Sequence, residues 1–303
     1  MSGLVNKKVQ VVLGSTLVAV CNAMSALIKD GPVQWCFSSA FRPPAGSYAF
    51  STGVSSALLS DFVVRYTRQR GWSKTALLTS TDATGQDGDR TFDTTLALPE
   101  NLRVVMVAHE HFNIGDLSVA AQIARIKTSG AQVLFAWTTG TQLATILHAA
   151  SDAGLAIPIV TTSGNSTYPQ MKAYASFLPK EFYFTGVLSL APNELPNSPV
   201  KSTILSYLSA FRSTGIRPDI GSNQAWDGAQ ILIEALKKLG LNATPSQIRD
   251  YVVNLRGWSG INGQYDFQRY PQRGVGLEWL TMQRWDTAKD SWVGVSKLGG
   301  APF

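Results

Sequence analysis

The sequence predicts an α/β protein with doubly wound parallel sheets, and two observations support this. Between Lys74 and Asn165, apolar β-branched runs alternate with segments in which apolar residues recur every three or four positions. The runs are also apolar almost throughout, as strands covered on both faces of a parallel sheet must be. The predicted strands cover residues 74–80, 102–108, 132–138 and 158–162, and the predicted helices cover residues 88–97, 118–129 and 142–153.

The residues ahead of this stretch continue the alternation. In chain order they predict a strand at residues 9–13, a helix at 17–29, a strand at 33–37, an extended segment at 48–52 and a helix at 53–70. The uncharged residues 9–28 also resemble a signal peptide. Because Gln10, Ser15 and Asn22 interrupt the apolar run, we favour a strand, a turn and a helix.

After the central stretch the pattern predicts a second set of helices and strands. These are a strand at residues 182–190, helices at 199–213, 222–239 and 245–255, and strands at 263–267, 277–286 and 292–296. Breaks near Thr52, Leu190 and Gly276 suggest that the chain crosses three times between two lobes. We therefore expect lobe 1 at residues 1–52 plus 191–275, and lobe 2 at residues 53–190 plus 276–303.

The composition excludes several classes of protein. With 303 residues, 45% of them hydrophobic and 15% charged, the chain is globular and long enough for two cores. The net charge of +6 is spread along the chain, whereas a nucleic-acid-binding protein needs a clustered basic face. Two cysteines, Cys21 and Cys36, are too few for a disulfide scaffold. We favour two buried thiols, and a disulfide is the alternative.

The predicted strand ends point to a binding site without chemistry. They carry hydroxyls, amides and Trp137, and they hold no set of a nucleophile with a general base. Ligands of such sheets bind beyond the carboxyl ends of the strands, where helix amino termini also present N–H groups. The sequence therefore predicts a binding protein rather than an enzyme, with no cofactor.

Several motifs, taken in order, resemble one family. They include Gly14-Ser15-Thr16 and Asp30-Gly31-Pro32-Val33 at the start, Asp82-Ala83-Thr84-Gly85-Gln86 in the centre, Ala225-Trp226-Asp227, and residues 260–267 near the end. Together they resemble the ABC-transporter solute-binding proteins of the branched-chain amino-acid-binding type. The resemblance implies a type I periplasmic-binding fold, two α/β lobes joined by three hinge crossings, and closure around a ligand. It also implies a periplasmic monomer that delivers its ligand to membrane permease subunits.

The chain departs from this family at its beginning. Family members start with a signal peptide and a strand-helix-strand unit, and neither precedes Val9 here. The resemblance therefore implies a first lobe that is shortened at its amino terminus, with an exposed sheet edge. A misplaced start, a truncation and a partner that covers the gap are the alternatives.

The chain also departs from the family in its ligand-binding positions. Amino-acid-binding members have a carboxylate that pairs with the ligand ammonium, and this chain has Ser163 at that position. It also has Thr84 where those members have an aromatic residue, and Val18 where they have a serine. An unpaired buried ammonium is costly, so we expect a small carboxylate, such as an aromatic or 2-oxo acid, rather than a free amino acid. Phe41 and Trp137 would offer stacking faces. The predicted ligand-binding residues are Ser15, Thr16, Ser38, Ser39, Ala40, Phe41, Thr84, Trp137, Thr138, Thr139, Ser163 and Asn165.

Three other features are weaker. His109 and His111 resemble a metal-binding pair, but we expect no third ligand nearby and predict no metal. Residues 82–93 have Asp87 at the sixth place, where a calcium loop needs glycine, so we predict no calcium site there. Arg273 could bind an anionic ligand, and we favour a surface salt bridge.

A ligand-sensing regulatory module of the same fold is the alternative function.

Overall fold

The computed structural model describes Gly3 and residues 7–303 and divides into two compact units. Unit 1 contains the chain up to Ser55 together with Pro196–Trp279, and unit 2 contains Ser56–Leu195 and Leu280–Phe303. The chain therefore changes unit after Ser55, Leu195 and Trp279. The lobe limits at residues 52, 190 and 275 stay predictions.

Twelve strands and nine α-helices lie in the described part of the chain. The strands are β1 (Val11–Leu13), β2 (Val33–Cys36), β3 (Ala49–Ser51), β4 (Lys74–Ser80), β5 (Val105–Phe112), β6 (Val133–Trp137), β7 (Ile159–Thr161), β8 (Phe182–Thr185), β9 (Arg256–Ser259), β10 (Gln264–Asp266), β11 (Met282–Asp286) and β12 (Ser291–Gly294). The helices are α1 (Val18–Ser25), α2 (Ser56–Gln69), α3 (Ala83–Leu96), α4 (Ala120–Thr128), α5 (Thr141–Asp152), α6 (Tyr168–Ala173), α7 (Pro199–Arg212), α8 (Ile220–Leu239) and α9 (Pro245–Val253). None of these helices combines the length and the apolar character that crossing a membrane requires.

Unit 1 is built on a three-stranded parallel sheet in the order β1-β2-β3. The central strand β2 is buried along its whole length, and Trp35 packs face to face with Phe50 at a centroid distance of 5.5 Å. A separate antiparallel hairpin joins β9 to β10. Strand β1 pairs only with β2 among the described strands, and Leu13 at its end is 47% exposed.

Unit 2 is built on a seven-stranded sheet in the order β12-β11-β8-β7-β6-β4-β5. Strands β4 to β8 pair in parallel, and β11 and β12 are antiparallel additions at one side. Strand β6 is fully buried, and β4 is buried after its first residue. This mixed α/β architecture confirms the predicted fold class. Because the five strands run in the same direction, their carboxyl ends lie along one edge of the sheet.

Some predicted boundaries are wrong, for local reasons. Helix α3 begins five residues earlier than predicted because the Asp82 carboxylate accepts a hydrogen bond from the Gly85 N–H and caps the helix. Strand β5 lies later than predicted because a 3-10 turn occupies Pro99–Asn101. The strand predicted at residues 277–286 begins at Met282, since Leu277–Trp279 is also a 3-10 turn. Strand β9 and helix α6 were not predicted.

The preferred interpretation of the cysteines is also wrong. Cys21 on α1 and Cys36 on β2 form a disulfide, with their Cα atoms 6.0 Å apart and both residues fully buried. That separation lies in the ordinary range for disulfides, because the helix packs directly on the strand. Val18, Phe41 and Ala49 surround the bridge in one apolar cluster. The disulfide therefore fixes α1 to the centre of the unit 1 sheet.

Candidate functional site

The strand ends of unit 2 bring several predicted site residues together. Strand β6 lies between β4 and β7, so the loops that follow these three strands are neighbours. The Thr138 hydroxyl donates to the Ser80 hydroxyl at 3.1 Å, which joins the ends of β6 and β4. The Asn165 amide donates to the Thr138 carbonyl at 2.8 Å, which joins the ends of β7 and β6. Thr138 and Asn165 therefore belong to one polar cluster.

Asn165 holds this cluster together through its own hydrogen bonds. Besides Thr138, its amide group donates to the Thr161 hydroxyl at 2.9 Å, and its carbonyl oxygen accepts from the Gly140 N–H at 3.2 Å. The residue is fully buried. Since its donors and its acceptor are used within the protein, Asn165 shapes the loops. We do not assign it a direct ligand contact.

Thr84, Thr139 and Ser163 differ from Asn165 in being partly exposed. The Ser163 N–H donates to the Thr185 hydroxyl at 2.8 Å, which fixes the backbone after β7. Thr139 lies beside Gly164: a Cβ added to Gly164 would be 3.1 Å from the methyl group of Thr139. These three residues follow β4, β6 and β7, beside the cluster.

The acidic side chain at the ends of β4, β6 and β7 is Asp82, and it is already engaged. Its Oδ1 atom accepts from the Gly85 N–H at 3.0 Å and from the Ser80 hydroxyl at 2.7 Å. Thr162 through Ser166 and Thr138 through Thr141 contribute no carboxylate. The cluster is therefore polar, and the one carboxylate in these segments is oriented by the hydrogen bonds that cap α3.

Ser80 and Ser166 are two further residues of this cluster that are not among the predicted site residues. Ser80 links β4 to β6 as described, and the buried Ser166 hydroxyl has no hydrogen-bond partner among the described residues. Both residues lie at or just beyond the carboxyl end of a strand. That position was the signal that could have identified them.

Helix α5 begins at this cluster without a side-chain cap. Its N-cap residue, Gly140, has a φ of 77°, a left-handed backbone conformation that glycine adopts without strain, and it has no side-chain oxygen. The first N–H groups of a helix have no acceptor within the helix, and the helix dipole favours negative charge there. This end of unit 2 therefore suits an anion better than a cation.

Unit 1 has its own group of strand ends. The Phe37 N–H donates to the Ser15 carbonyl at 2.9 Å, and the Ser51 hydroxyl donates to the Ser38 carbonyl at 2.9 Å. Predicted residues Ser15, Ser38, Ser39 and Ala40 thus lie on neighbouring loops at the ends of β1 and β2, and they are partly buried. Thr16 is exposed on the first loop.

The prediction of a surface salt bridge for Arg273 is wrong. Arg273 is only 8% exposed, and its guanidinium donates to the carbonyls of Ser39 (3.0 Å), Phe41 and Gly53 (3.1 Å) and to the Ser51 hydroxyl (3.3 Å). A buried guanidinium needs such hydrogen bonds to offset its desolvation. The side chain therefore fixes the loops after β2 and β3.

The two aromatic rings that the sequence offered for stacking are core residues in this structure. Phe41 is 1% exposed within the disulfide cluster of unit 1. Trp137 is 3% exposed in unit 2 and packs edge-on against Phe92 at a centroid distance of 4.9 Å. The expected open stacking faces are not seen at these positions, because each ring fills the interior beneath a strand end.

The expectation that no third ligand lies near His109 and His111 is wrong as well. Asp89 is 20 residues away from His109 in sequence, yet its carboxylate lies within hydrogen-bond distance of both imidazoles. The contact was not foreseen because residues 82–93 lie mostly in α3, which packs on the sheet. His148, in contrast, is exposed on α5 beside Asp152.

Comparison with known proteins gives one family match and many structural matches. The family model described as "Periplasmic binding protein" matches residues 1–290. No protein among the curated sequences matches the chain. An extracellular ligand-binding receptor from Rhodopseudomonas palustris HaA2 has a TM-score of 0.82 at 18% identity, over 96% of this chain and 83% of that chain.

Two further structures give similar values. A solute-binding protein of an ABC transporter from R. palustris, in complex with benzoate, has a TM-score of 0.80 at 16% identity, over 98% of this chain and 79% of that chain. A leucine-binding protein, LivK, from Thermotoga maritima MSB8 has a TM-score of 0.80 at 13% identity, over 96% of this chain and 80% of that chain. At these identities the similarity concerns the fold alone.

Proposed function

Because this chain belongs to the periplasmic binding protein family, we propose that it is an extracytoplasmic receptor that binds a small carboxylate and delivers it to an ABC importer. Proteins of this fold include an ABC-transporter solute-binding protein that was crystallised with benzoate. The proposed mechanism is hinge closure of two lobes around the ligand, which couples binding to recognition by the membrane permease.

The observation that carries the ligand class is that the loops after β6 and β7 contain no carboxylate. Ser163 occupies the position after β7 where a counter-charge for an amino group would be expected, and Asp82 is engaged in capping α3. An ammonium that is buried without a counter-charge loses several kcal/mol. A free amino acid is therefore a poor ligand for this cluster.

The same cluster supplies groups that favour an anion. Thr139, Ser163 and Thr84 carry partly exposed hydroxyls, and α5 begins beside them without a side-chain cap. Unit 1 offers Ser15, with α1 beginning shortly after it at an N-cap, Leu17, that also lacks a side-chain oxygen. Hydroxyls and helix amino termini are donors that suit a carboxylate.

The disulfide between Cys21 and Cys36 favours this receptor over a cytoplasmic sensor of the same fold. Disulfides persist in oxidising compartments such as the bacterial periplasm and are rare in the cytosol. The bridge lies in unit 1 beneath the strand ends that we assign to ligand binding. A receptor that works outside the cytoplasm explains it directly.

The proposal is tested by calorimetry of the purified chain with matched pairs of ligands. 4-Methyl-2-oxopentanoate differs from leucine, and phenylpyruvate from phenylalanine, mainly by an oxo group in place of the amino group; benzoate serves as a third carboxylate. We expect saturable binding of at least one carboxylate and no comparable binding of either amino acid. Tighter binding of leucine or phenylalanine than of its 2-oxo partner overturns the ligand class, and binding of none of the five overturns the proposed carboxylate receptor.

One substitution tests the position that carries the argument. Ser163→Asp introduces the missing counter-charge, so it should weaken carboxylate binding and improve binding of the matching amino acid. Ser151→Asp, at an exposed position of α5, adds the same charge elsewhere in unit 2 and is the control. Equal effects of the two substitutions would contradict a ligand contact at Ser163.

A further inference from the structure

His109 and His111 project from the same face of an edge strand. They are alternate residues of β5, and they pair with Leu77 and Thr79 of the neighbouring strand β4. Their ring centroids are 4.6 Å apart. Glu110, between them, uses the opposite face of the strand, where it forms a bidentate ion pair with Arg125 at 2.7 and 2.8 Å. The two imidazoles thus lie on the opposite face of β5 from the Glu110–Arg125 ion pair.

Asp89 brings a carboxylate to both rings. It lies on α3, and its Oδ1 atom is 2.8 Å from His109 Nε2 while its Oδ2 atom is 3.1 Å from His111 Nε2. Both histidines therefore direct the same ring nitrogen toward one acidic group. The three residues each offer one metal-binding atom, a ring nitrogen or a carboxylate oxygen, and these three atoms lie within 4.8 Å of one another.

Thr79 orients this carboxylate. Its hydroxyl donates to Asp89 Oδ1 at 2.7 Å, and the residue is fully buried on β4. In metal sites, hydrogen bonds of this kind to a ligating carboxylate fix its orientation and tune its affinity. The Thr79 hydroxyl and the two imidazoles therefore all contact the Asp89 carboxylate.

We propose that Asp89, His109 and His111 bind a divalent first-row transition-metal ion, with zinc as the best fit. Imidazole nitrogen and carboxylate oxygen are zinc ligands, and three of them leave a coordination position for water. Zinc–ligand bonds of about 2.0–2.2 Å in a tetrahedron separate neighbouring ligand atoms by about 3.4 Å. The two nitrogen–oxygen distances here, 2.8 and 3.1 Å, are shorter than that separation, so metal binding requires the carboxylate and the rings to move slightly apart.

The site is also accessible to ions from solution. The side chains of Asp89, His109 and His111 are 22%, 28% and 47% exposed. Bound metal would tie helix α3 to the edge strand β5, which pairs with β4 alone among the described strands. We therefore expect zinc to raise the melting temperature of the protein, because a ligand that binds only the folded state stabilises it.

The test measures zinc binding by calorimetry in the chain without a histidine tag. We expect one zinc ion per chain, at least a tenfold loss of affinity in Asp89→Asn, His109→Gln and His111→Gln, and a loss in Thr79→Val of about 10- to 100-fold. His148→Gln is the matched control, because the chain contains three histidines and His148 lies outside the site. Magnesium and calcium, which prefer oxygen ligands, should not compete.

A second measurement needs no variant and so does not depend on the folding of one. In nitrogen-15 NMR spectra of the unmodified protein, zinc should shift the imidazole resonances of two of the three histidines. Saturable zinc binding with this pattern supports the site. Absence of saturable binding, equal affinity in the Asp89→Asn and His148→Gln variants, or a shift of the His148 ring alone overturns it.

Discussion

The Tyr265 hydroxyl donates a hydrogen bond to the fully buried carboxylate of Asp227 at 2.9 Å. The same carboxylate accepts from the N–H groups of Ile261 and Asn262, both at 2.9 Å, and from the Asn262 side chain at 2.8 Å. Burial raises the pKa of Asp227, and these four donors oppose that shift. Asp227 therefore fixes the turn of the β9–β10 hairpin to helix α8.

We expect Asp227→Ala to lower the free energy of unfolding by about 3–5 kcal/mol, because it leaves buried donors without an acceptor. Tyr265→Phe removes one donor and leaves the other three hydrogen bonds, so its loss should be smaller, about 1–3 kcal/mol. Urea unfolding measures both variants. A Tyr265→Phe loss equal to that of Asp227→Ala would contradict the central role of the carboxylate.

The disulfide should stabilise unit 1 appreciably. It joins residues 15 positions apart. A crosslink that closes a loop of that length lowers the entropy of the unfolded chain and stabilises the folded state by about 3 kcal/mol. We expect the Cys21→Ala/Cys36→Ala double variant to lose roughly this amount in urea unfolding. Since both cysteines are fully buried, reductant without denaturant should act slowly on the native protein. An unchanged urea midpoint in the double variant would show that the bridge does not stabilise the fold.

Tyr183 should make the protein sensitive to strongly alkaline solution. Burial, together with its hydrogen bond to Glu181 at 2.9 Å, raises the pKa of Tyr183 to about 12. An unfolded chain releases the phenol proton near pH 10, so this contribution to stability is complete below about pH 10 and is lost between about pH 10 and 12. The Tyr183→Phe variant should show a shallower loss of stability over that range. Tyr48→Phe, at a partly buried position of unit 1, is the control.

The interior of unit 2 could be predicted from the sequence better than its edge. Strand β4 was predicted with the limits that the structure shows, and its central residues 76–78 form a continuous apolar run. Strand β5 was displaced, since an edge strand tolerates polar residues such as His109 and Glu110 that make it resemble a loop. Periodicity describes burial, and it says little about strands that are half exposed.

The candidate site divides in the same way. The positions of Ser38, Thr138 and Ser163 at strand ends follow from the parallel sheet, which the sequence predicts. The contacts of Asp89 with two histidines, of Arg273 with three carbonyls, and of Cys21 with Cys36 depend on how helices and loops pack across the sheet. Local spacing cannot reveal such contacts. The buried rings of Phe41 and Trp137 likewise depend on packing, since an aromatic residue suits a core and a ligand site equally.

Two glycines in α3 should be intolerant of alanine, although alanine normally favours a helix. A Cβ at Gly85 would collide with the Ser80 carbonyl, and a Cβ at Gly88 would collide with the Trp137 ring. We expect Gly88→Ala to lose about 1–3 kcal/mol by overpacking. Gly85→Ala should lose more, because a backbone carbonyl cannot turn aside. Thermal unfolding measures the order, with Thr94→Ala on the exposed face as the control; stabilisation by either glycine substitution would contradict the close packing.

Asn165 and Ser163 should separate stability from ligand binding. Asn165→Ala leaves the Gly140 N–H and the Thr138 carbonyl without their partner, so we expect a loss of about 1–3 kcal/mol in the free energy of unfolding. Ser163→Ala removes a partly exposed hydroxyl and should change stability by less than about 0.5 kcal/mol while weakening binding of the best carboxylate ligand. Urea unfolding and calorimetry on both variants check this. If Ser163→Ala lowers stability as much as Asn165→Ala and leaves the affinity unchanged, Ser163 supports the loop and the ligand contact lies elsewhere.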